Sequence, residues 1–337
     1  MKTHSDWRDL PSELLADIAK RLSSIHDYLS FRRVCSYWRS AATFDNFDNA
    51  LSRVPWLMYV TGEEKKEEKN VERVVSFFDL SNNNTYNITT NFPEKSYLLS
   101  CGGWILCVSE DTGGGEVNLT HPVWRVKIDL PCLDTFPDYS HEDGIHFISK
   151  MVLSGSPTMK GDLVVMVIWG KNNQLGFSRP GDSSWSVTDT WDGSFSDIIY
   201  RKGRLYAVDF SGRIVECDIH GPNPSQIVKV FSFPNFDASF DAICYLLGSS
   251  SGELLIVCHR IFGRKTLWFE VFEIDLKDGS HKEIHGLPNK ALFLGCNSSL
   301  CVEVCDWDRN AVKPNCIYFT GRGKDSDRGR FKKKDDD

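Results

Sequence analysis

The sequence predicts an α+β protein made of a small N-terminal all-α domain and a much larger all-β domain. Apolar residues recur at helical spacing only in residues 10–42. From about residue 54 onward they form short runs separated by turn residues, which favours strands. The chain of 337 residues is also longer than one compact domain usually is. We therefore expect a helical domain at 6–45, a linker at 46–54, a β domain at 55–320 and a disordered charged tail at 321–337.

The composition indicates which kind of partner the protein binds and in which cellular compartment it works. A net charge of −7 argues against general binding to nucleic acid or to anionic membranes, since both need a basic surface. No apolar run reaches the ~18 residues of a membrane helix, and no secretory signal is recognisable at the start. The eleven cysteines are scattered without close pairing, which favours reduced thiols in an intracellular protein. We expect a protein of the cytoplasm or nucleus whose partner is another protein.

Residues 10–42 predict two short helices, each with one apolar face. Pro11 fits a first helical turn, where its missing N–H costs nothing, and Ser23–Ser24 interrupts the apolar pattern. The two faces consist of Leu14, Leu15, Ile18 and Leu22, and of Phe31, Val34, Cys35, Trp38 and Ala42. Two helices of this length cannot bury both faces alone, so each face needs a further packing surface.

The β domain carries a degenerate repeat, and no helix of ten residues is predicted in it. A glycine leads into a strand that is apolar on both faces at Gly103–Val108, Gly161–Val167, Gly203–Val208 and Gly252–Val257. Such a strand suits burial between two neighbouring sheets. The spacing lies near the ~40–50 residues of a four-stranded propeller blade. Residues 55–320 therefore predict a kelch-like β-propeller of about six irregular blades, with a β-sandwich as the alternative.

The helical domain contains an ordered set of motif residues, namely Leu10-Pro11-Ser12-Glu13-Leu14-Leu15, Ile18, Leu22, Phe31-Arg32, Val34-Cys35 and Trp38-Arg39-Ser40-Ala41. In this order and spacing they resemble an F-box, the motif through which ubiquitin-ligase receptors bind the Skp adaptor. On this resemblance the expected adaptor-binding residues are Leu10, Pro11, Leu14, Leu15, Ile18, Val34 and Trp38. The alternative for each of them is packing within the helical domain or onto the β domain.

Short segments of the β domain resemble the large plant family in which an F-box precedes a kelch-like β domain of unknown function. They are Val54-Pro55-Trp56-Leu57, Gly203-Arg204-Leu205-Tyr206-Ala207-Val208, Leu292-Phe293-Leu294-Gly295 and Pro314-Asn315-Cys316-Ile317-Tyr318-Phe319. The resemblance implies a substrate-recognition subunit of a Skp–cullin–F-box ligase, which is not itself an enzyme and has no cofactor. Members of the family usually add another strand after the last segment. This chain runs into the charged tail instead, so the sequence does not predict whether the ring of blades closes.

Other patterns point only weakly to chemistry or recognition. Gly248–Gly252 matches the Gly-x-Ser-x-Gly elbow of hydrolases, but a strand-like run follows it, which favours a hairpin. Four cysteines, Cys296, Cys301, Cys305 and Cys316, lack the paired spacing of structural zinc sites. Trp185 and Trp191 are more typical of a core than of a recognition surface. Two other functions remain open, a non-ligase F-box scaffold and a hydrolytic or glycan-binding propeller.

Overall fold

The computed structural model describes residues 7, 10–22, 25–43, 55–61, 73–80, 83–90, 92–110, 114–122, 124–155, 163–188, 191–219, 226–231, 241–249, 252–262, 265–304 and 311–320. The predicted linker at 46–54 and tail at 321–337 lie outside these residues. The chain divides into two compact units, Met1–Pro55 and Trp56–Asp337.

The first unit contains three described helices, α1 (Ser12–Arg21), α2 (Ile25–Arg33) and α3 (Ser36–Ala41). The prediction of one continuous second helix was wrong. Its interruption lies at Cys35, whose backbone is extended and whose Sγ accepts a hydrogen bond from the Trp38 N–H at 3.5 Å. Cys35 thereby caps a separate helix, a role for which cysteine is not among the preferred residues.

The interior of the helical unit is small and partly aromatic. Its buried apolar residues are Leu15, Ala19, Tyr28, Phe31, Ala41 and Ala42. The ring of Phe31 lies 4.5 Å from that of Trp38, and the Tyr28 hydroxyl donates to the Thr43 carbonyl at 2.6 Å. Burial raises the pKa of Tyr28 to about 12, so this hydroxyl remains a donor at physiological pH.

The second unit is built from six sheets that form a six-bladed β-propeller, as the repeat predicted. The first sheet consists of β1 (Trp56–Thr61), β2 (Arg73–Asp79) and β3 (Asn84–Thr90), and the second of β4 (Ser96–Cys101), β5 (Trp104–Ser109), β6 (Glu116–His121) and β7 (Val126–Leu130). The third consists of β8 (Ile148–Leu153), β9 (Val165–Trp169), β10 (Gln174–Ser178) and β11 (Ser186–Val187), and the fourth of β12 (Phe195–Arg201), β13 (Arg204–Asp209), β14 (Ile214–Cys217) and β15 (Ile227–Phe231). The fifth consists of β16 (Asp241–Gly248), β17 (Leu254–Phe262), β18 (Lys265–Ile274) and β19 (His281–Glu283), and the sixth of β20 (Lys290–Leu294), β21 (Leu300–Glu303) and β22 (Cys316–Phe319). Helical turns in the described part of this unit are limited to the 3-10 segments Leu133–Thr135 and His141–Phe147.

An apolar layer lies between each successive pair of sheets. Strand β13 shows how one strand serves two layers. Leu205 and Ala207 pack with the third sheet, whereas Tyr206 and Val208 pack with the fifth. Because side chains alternate across a strand, a strand inside a stack of sheets must be apolar at every position. The same burial on both faces holds for β5, β9 and β17, so the predicted repeat corresponds to the second strand of four blades.

Glycine makes the tight entry into three of these second strands possible. Gly103, Gly203 and Gly252 have φ of 82°, 80° and 109°, a region that other residues rarely adopt. Each stands at the hairpin between the first and second strand of its sheet. The first strands β4, β8, β12 and β16 lie beside one another at the centre of the ring.

A buried ion pair joins the central strands. Lys150 on β8 and Asp197 on β12 are both almost fully buried, and their Nζ and Oδ1 atoms are 2.7 Å apart. Asp197 Oδ2 also accepts the N–H of Leu246 on β16 at 2.9 Å. Both charged residues follow an irregularity in strand register, at Ile148/Lys150 and at Phe195/Asp197. Such bulges redirect side chains, and here the pair ties the third, fourth and fifth sheets together.

The sixth sheet meets the second at the centre of the propeller. Asn297 Nδ2 donates to Ser100 Oγ at 3.1 Å, and Ser298 Oγ donates to the Ser100 carbonyl at 2.9 Å. The sixth sheet is unusual because β22 runs parallel to β20. The first sheet packs against the second through Val75, Ile105 and Cys107. The contacts at Ser100 link the last sheet in the sequence to a strand near the beginning of the β unit.

Candidate functional site

The helical unit exposes several large apolar side chains that its own core leaves uncovered. Leu14 and Ile18 on α1 are 50% and 36% exposed, Val34 at the end of α2 is 56% exposed, and Tyr37 on α3 is 43% exposed. Leu14 and Ile18 are one helical turn apart and so share a face. Several exposed large apolar residues in one small unit are typical of a protein-binding surface.

The structure divides the seven predicted adaptor-binding residues into two groups. Pro11, Leu14, Ile18 and Val34 are exposed, and Leu10 is half-buried. Leu15, by contrast, is fully buried in the core of the helical unit, so it cannot contact a partner in this conformation. Trp38 is half-buried, and its ring packs against that of Phe31 at a tilt of 38°. We refer to Leu14, Ile18, Val34 and Tyr37 as the apolar stripe.

Tyr37 is the member of the stripe that the sequence analysis missed. It follows Val34 by three residues, a spacing that puts two residues near each other on one continuous helix, but it was not assigned to the apolar face. In the structure the cap at Cys35 starts α3, and Tyr37 lies in the first turn of this helix with 43% of its surface exposed. A Cys-x-x-Trp spacing with a polar residue after the cysteine is the only signal of this break, and it is weak.

The core beneath the stripe is braced by polar contacts. The Arg32 side chain donates to the Ala42 carbonyl, which joins the end of α2 to the residue after α3. Burial lowers the pKa of the Arg32 guanidinium from its usual value. Arg39 Nε donates to the Arg32 carbonyl at 3.3 Å. These contacts tie the end of α2 to α3 on either side of the segment that carries Val34 and Tyr37.

The described residues of the serine motif, Gly248, Ser249 and Gly252, lie where the paired strands β16 and β17 meet. Strand β17 follows the motif directly, whereas a nucleophile elbow needs a helix there. Ser249 is buried, and its Oγ accepts from Lys290 Nζ at 2.9 Å. His259 Nε2 lies 2.9 Å from Thr266 Oγ1, and its ring stacks on Phe269. Ser250 and Ser251 are outside the described residues.

The two tryptophans that were considered for recognition make contacts within the fold, and the cysteines were considered as metal ligands. Trp185 is buried and donates from Nε1 to the Pro131 carbonyl at 2.8 Å. Trp191 stacks on Phe195, with the Arg213 guanidinium 4.4 Å from its ring centre. In the described part of the chain, no three His, Cys, Asp or Glu side chains are grouped so that they could hold a metal ion. Cys305 lies outside that part.

Comparison with known proteins agrees with the division into a helical and a β unit. Residues 7–47 match the F-box-like family, and residues 77–336 match the KIB1-4 beta-propeller family. The chain is 24% identical to the F-box protein SKIP23 of Arabidopsis thaliana over 94% of its own length and 84% of that protein. It is 25% identical to another Arabidopsis thaliana F-box protein, with 93% and 95% covered.

Among solved structures, YCF48 from Cyanidioschyzon merolae matches 63% of this chain and 64% of its own, at 11% identity and a TM-score of 0.40. No helix among the described residues is both long and apolar enough to cross a bilayer.

These features define an F-box protein whose second domain is a β-propeller. The chain belongs to the KIB1-4 beta-propeller family, because that model covers more than half of it. The sequence resemblance to plant F-box proteins is thereby confirmed.

Proposed function

We propose that this protein is the substrate-recognition subunit of a Skp–cullin–F-box E3 ubiquitin ligase. The helical unit binds the Skp adaptor, and through it the cullin–RING ligase, while the propeller holds a target protein for ubiquitination. The apolar stripe on an F-box-like domain is the observation that carries this proposal. The protein acts as an adaptor rather than as an enzyme, and it works in the cytoplasm or nucleus.

The energy available from the stripe fits a specific but reversible complex. Full burial of a large apolar side chain contributes ~1.5–3 kcal/mol. Leu14, Ile18, Val34 and Tyr37 are each about half exposed, so covering them yields roughly 3–6 kcal/mol in total. Leu10, Pro11 and Trp7 border the same region of sequence, and Trp7 is 70% exposed. Their burial offsets the association cost of at least ~4 kcal/mol.

Capture of a purified plant Skp adaptor by the full chain tests the adaptor-binding part of the proposal. We expect Leu14→Asp and Val34→Asp each to abolish capture, because a carboxylate would be buried without a partner in the complex. Val228→Asp serves as the matched control, since Val228 is a similarly exposed valine on β15 of the propeller. Capture that survives both substitutions in the helical unit would refute adaptor binding through this surface.

Recruitment of cullin separates a ligase subunit from a scaffold that only binds the adaptor. We expect the full chain, mixed with the adaptor and a cullin–RING module, to elute as one complex in size-exclusion chromatography. Co-purification from proteasome-inhibited cells should then enrich a protein that this complex ubiquitinates in a reconstituted reaction. A complex that forms but excludes cullin would favour the scaffold.

A further inference from the structure

Positive charges outnumber negative charges in the helical unit. The described helical unit, residues 10–43, carries five cations, Lys20, Arg21, Arg32, Arg33 and Arg39, against three carboxylates, Glu13, Asp17 and Asp27. Its net charge is therefore +2, although the whole chain carries −7. The excess positive charge is concentrated in the last turns of α1 and α2.

Two of these cations are placed beside the stripe. Arg21 follows Ile18 by three residues on α1, so both lie on the face that also carries Leu14. Arg33 directly precedes Val34 at the end of α2. Both guanidinium-bearing residues are exposed, and neither takes part in an ion pair with another described residue. We call Arg21 and Arg33 the basic rim.

Arg21 and Arg33 differ from Arg32 and Arg39, whose side chains form hydrogen bonds within the helical unit. Arg32 donates to the Ala42 carbonyl and Arg39 donates to the Arg32 carbonyl, so both brace the packing of α2 and α3. Cations in a last helical turn also stabilise the helix dipole, which is a structural reason for Arg21 and Arg33 to be there. That effect does not require them to flank the stripe, and it predicts no effect on binding kinetics.

We propose that the Skp adaptor meets the basic rim with carboxylates that lie next to its apolar groove, and that these charges accelerate and orient docking. This inference rests on the proposed function and adds the electrostatic character of the partner surface. An apolar surface alone gives little directional information, whereas pairs of opposite charges beside it favour a single orientation. Long-range attraction of this kind raises association rates and is screened by salt.

The test measures association and dissociation rates of the full chain with a purified plant Skp adaptor by stopped-flow fluorescence or biolayer interferometry. We expect R21E/R33E to lower the association rate constant about tenfold at low salt while the dissociation rate changes less. R21K/R33K keeps both charges and should retain the wild-type association rate. The matched control is K277E/K282E, which changes net charge equally at two exposed lysines of the propeller.

Salt dependence gives a second measurement that needs no variant. The wild-type association rate should fall as salt rises from 50 mM to 500 mM, because the Debye length shortens to a few Å. Helical circular dichroism of R21E/R33E reports separately whether loss of the dipole interaction unfolds the helices. If the adaptor binds and L14D abolishes binding, yet R21E/R33E and K277E/K282E behave alike, the rim proposal is wrong and the proposed function stands. If the wild-type chain does not bind the adaptor, both fail.

Discussion

His121, at the end of β6, is a buried histidine whose protonation the propeller opposes. Its ring makes an edge contact with Trp104 at 5.1 Å, and its Nδ1 accepts the Trp124 N–H at 3.3 Å. Burial lowers the pKa of His121 to about 4, from about 6.5 in an unfolded chain. The neutral form is therefore part of the native packing. Nothing in the sequence indicates this burial, because the contact of His121 with Trp104 depends on the pairing of β5 with β6.

The pKa of His121 determines one part of the pH dependence of stability. Between pH 6.5 and pH 4 the unfolded chain binds this proton and the folded chain does not, so stability falls as pH falls through that window. We expect a loss of about 2 kcal/mol from this group between pH 7.5 and pH 5. Urea denaturation followed by tryptophan fluorescence should show this loss in the wild type and in the exposed-site control His141→Asn. An unchanged pH slope in His121→Asn would contradict the assignment.

Helix α1 places two neighbouring leucines in different surroundings. Leu14 is half exposed and Leu15 fully buried, although both fit the apolar pattern of an F-box. Sequence spacing predicts the helix and its apolar residues, but it does not say which of two adjacent leucines the small core takes. That choice depends on how α3 packs on α1, and α3 exists as a separate helix only because of the cap at Cys35.

A matched pair of substitutions on α1 tests this division. We expect Leu15→Ala to destabilise the helical unit by about 2–5 kcal/mol, because it leaves a cavity in the core. Leu14→Ala should leave the helical unfolding transition nearly unchanged and weaken adaptor binding. Circular dichroism at 222 nm follows the first effect, and titration calorimetry with the adaptor follows the second. The reverse pattern would mean that Leu15 is the docking residue.

The strands differ in how well the sequence predicts them, and burial explains the difference. β5, β9, β13 and β17 are continuous apolar runs because each packs between two sheets. Outer strands such as β19 carry exposed polar residues, so they look like loops. The number of blades could therefore be predicted from the sequence, whereas the outer strands of each blade could not.

At the scale of the whole molecule, the propeller depends on contacts between residues far apart in sequence. Lys150 and Asp197 are 47 residues apart, and each is an ordinary charged residue in its own strand. Their pairing follows from the ring arrangement of β8 and β12 and from two bulges, neither of which local periodicity reveals. The sequence predicts the number of blades but not the polar contacts that hold the centre together.

Substitution of this pair tests its role in joining the central strands. We expect Lys150→Met to destabilise the propeller by about 3–5 kcal/mol, since it leaves the Asp197 carboxylate buried without its cation. Lys150→Met combined with Asp197→Asn should cost less than the sum of the single changes, because the neutral amide needs no counter-charge. Urea denaturation of the four proteins in a double-mutant cycle measures the coupling. Additive losses would show that the two charges do not interact.

The contacts of Ser100 with Asn297 and Ser298 have a consequence for how the protein is made. They span 197 and 198 residues, so they cannot form until nearly the whole chain has left the ribosome. At about 5–20 residues per second, this leaves the nascent blades open for roughly 10–40 seconds. During that time the edges of unfinished sheets are exposed to other chains, and contacts of such large sequence separation also form slowly. The step that joins the last sheet to the early blades therefore comes at the end of synthesis, after most strands have already emerged.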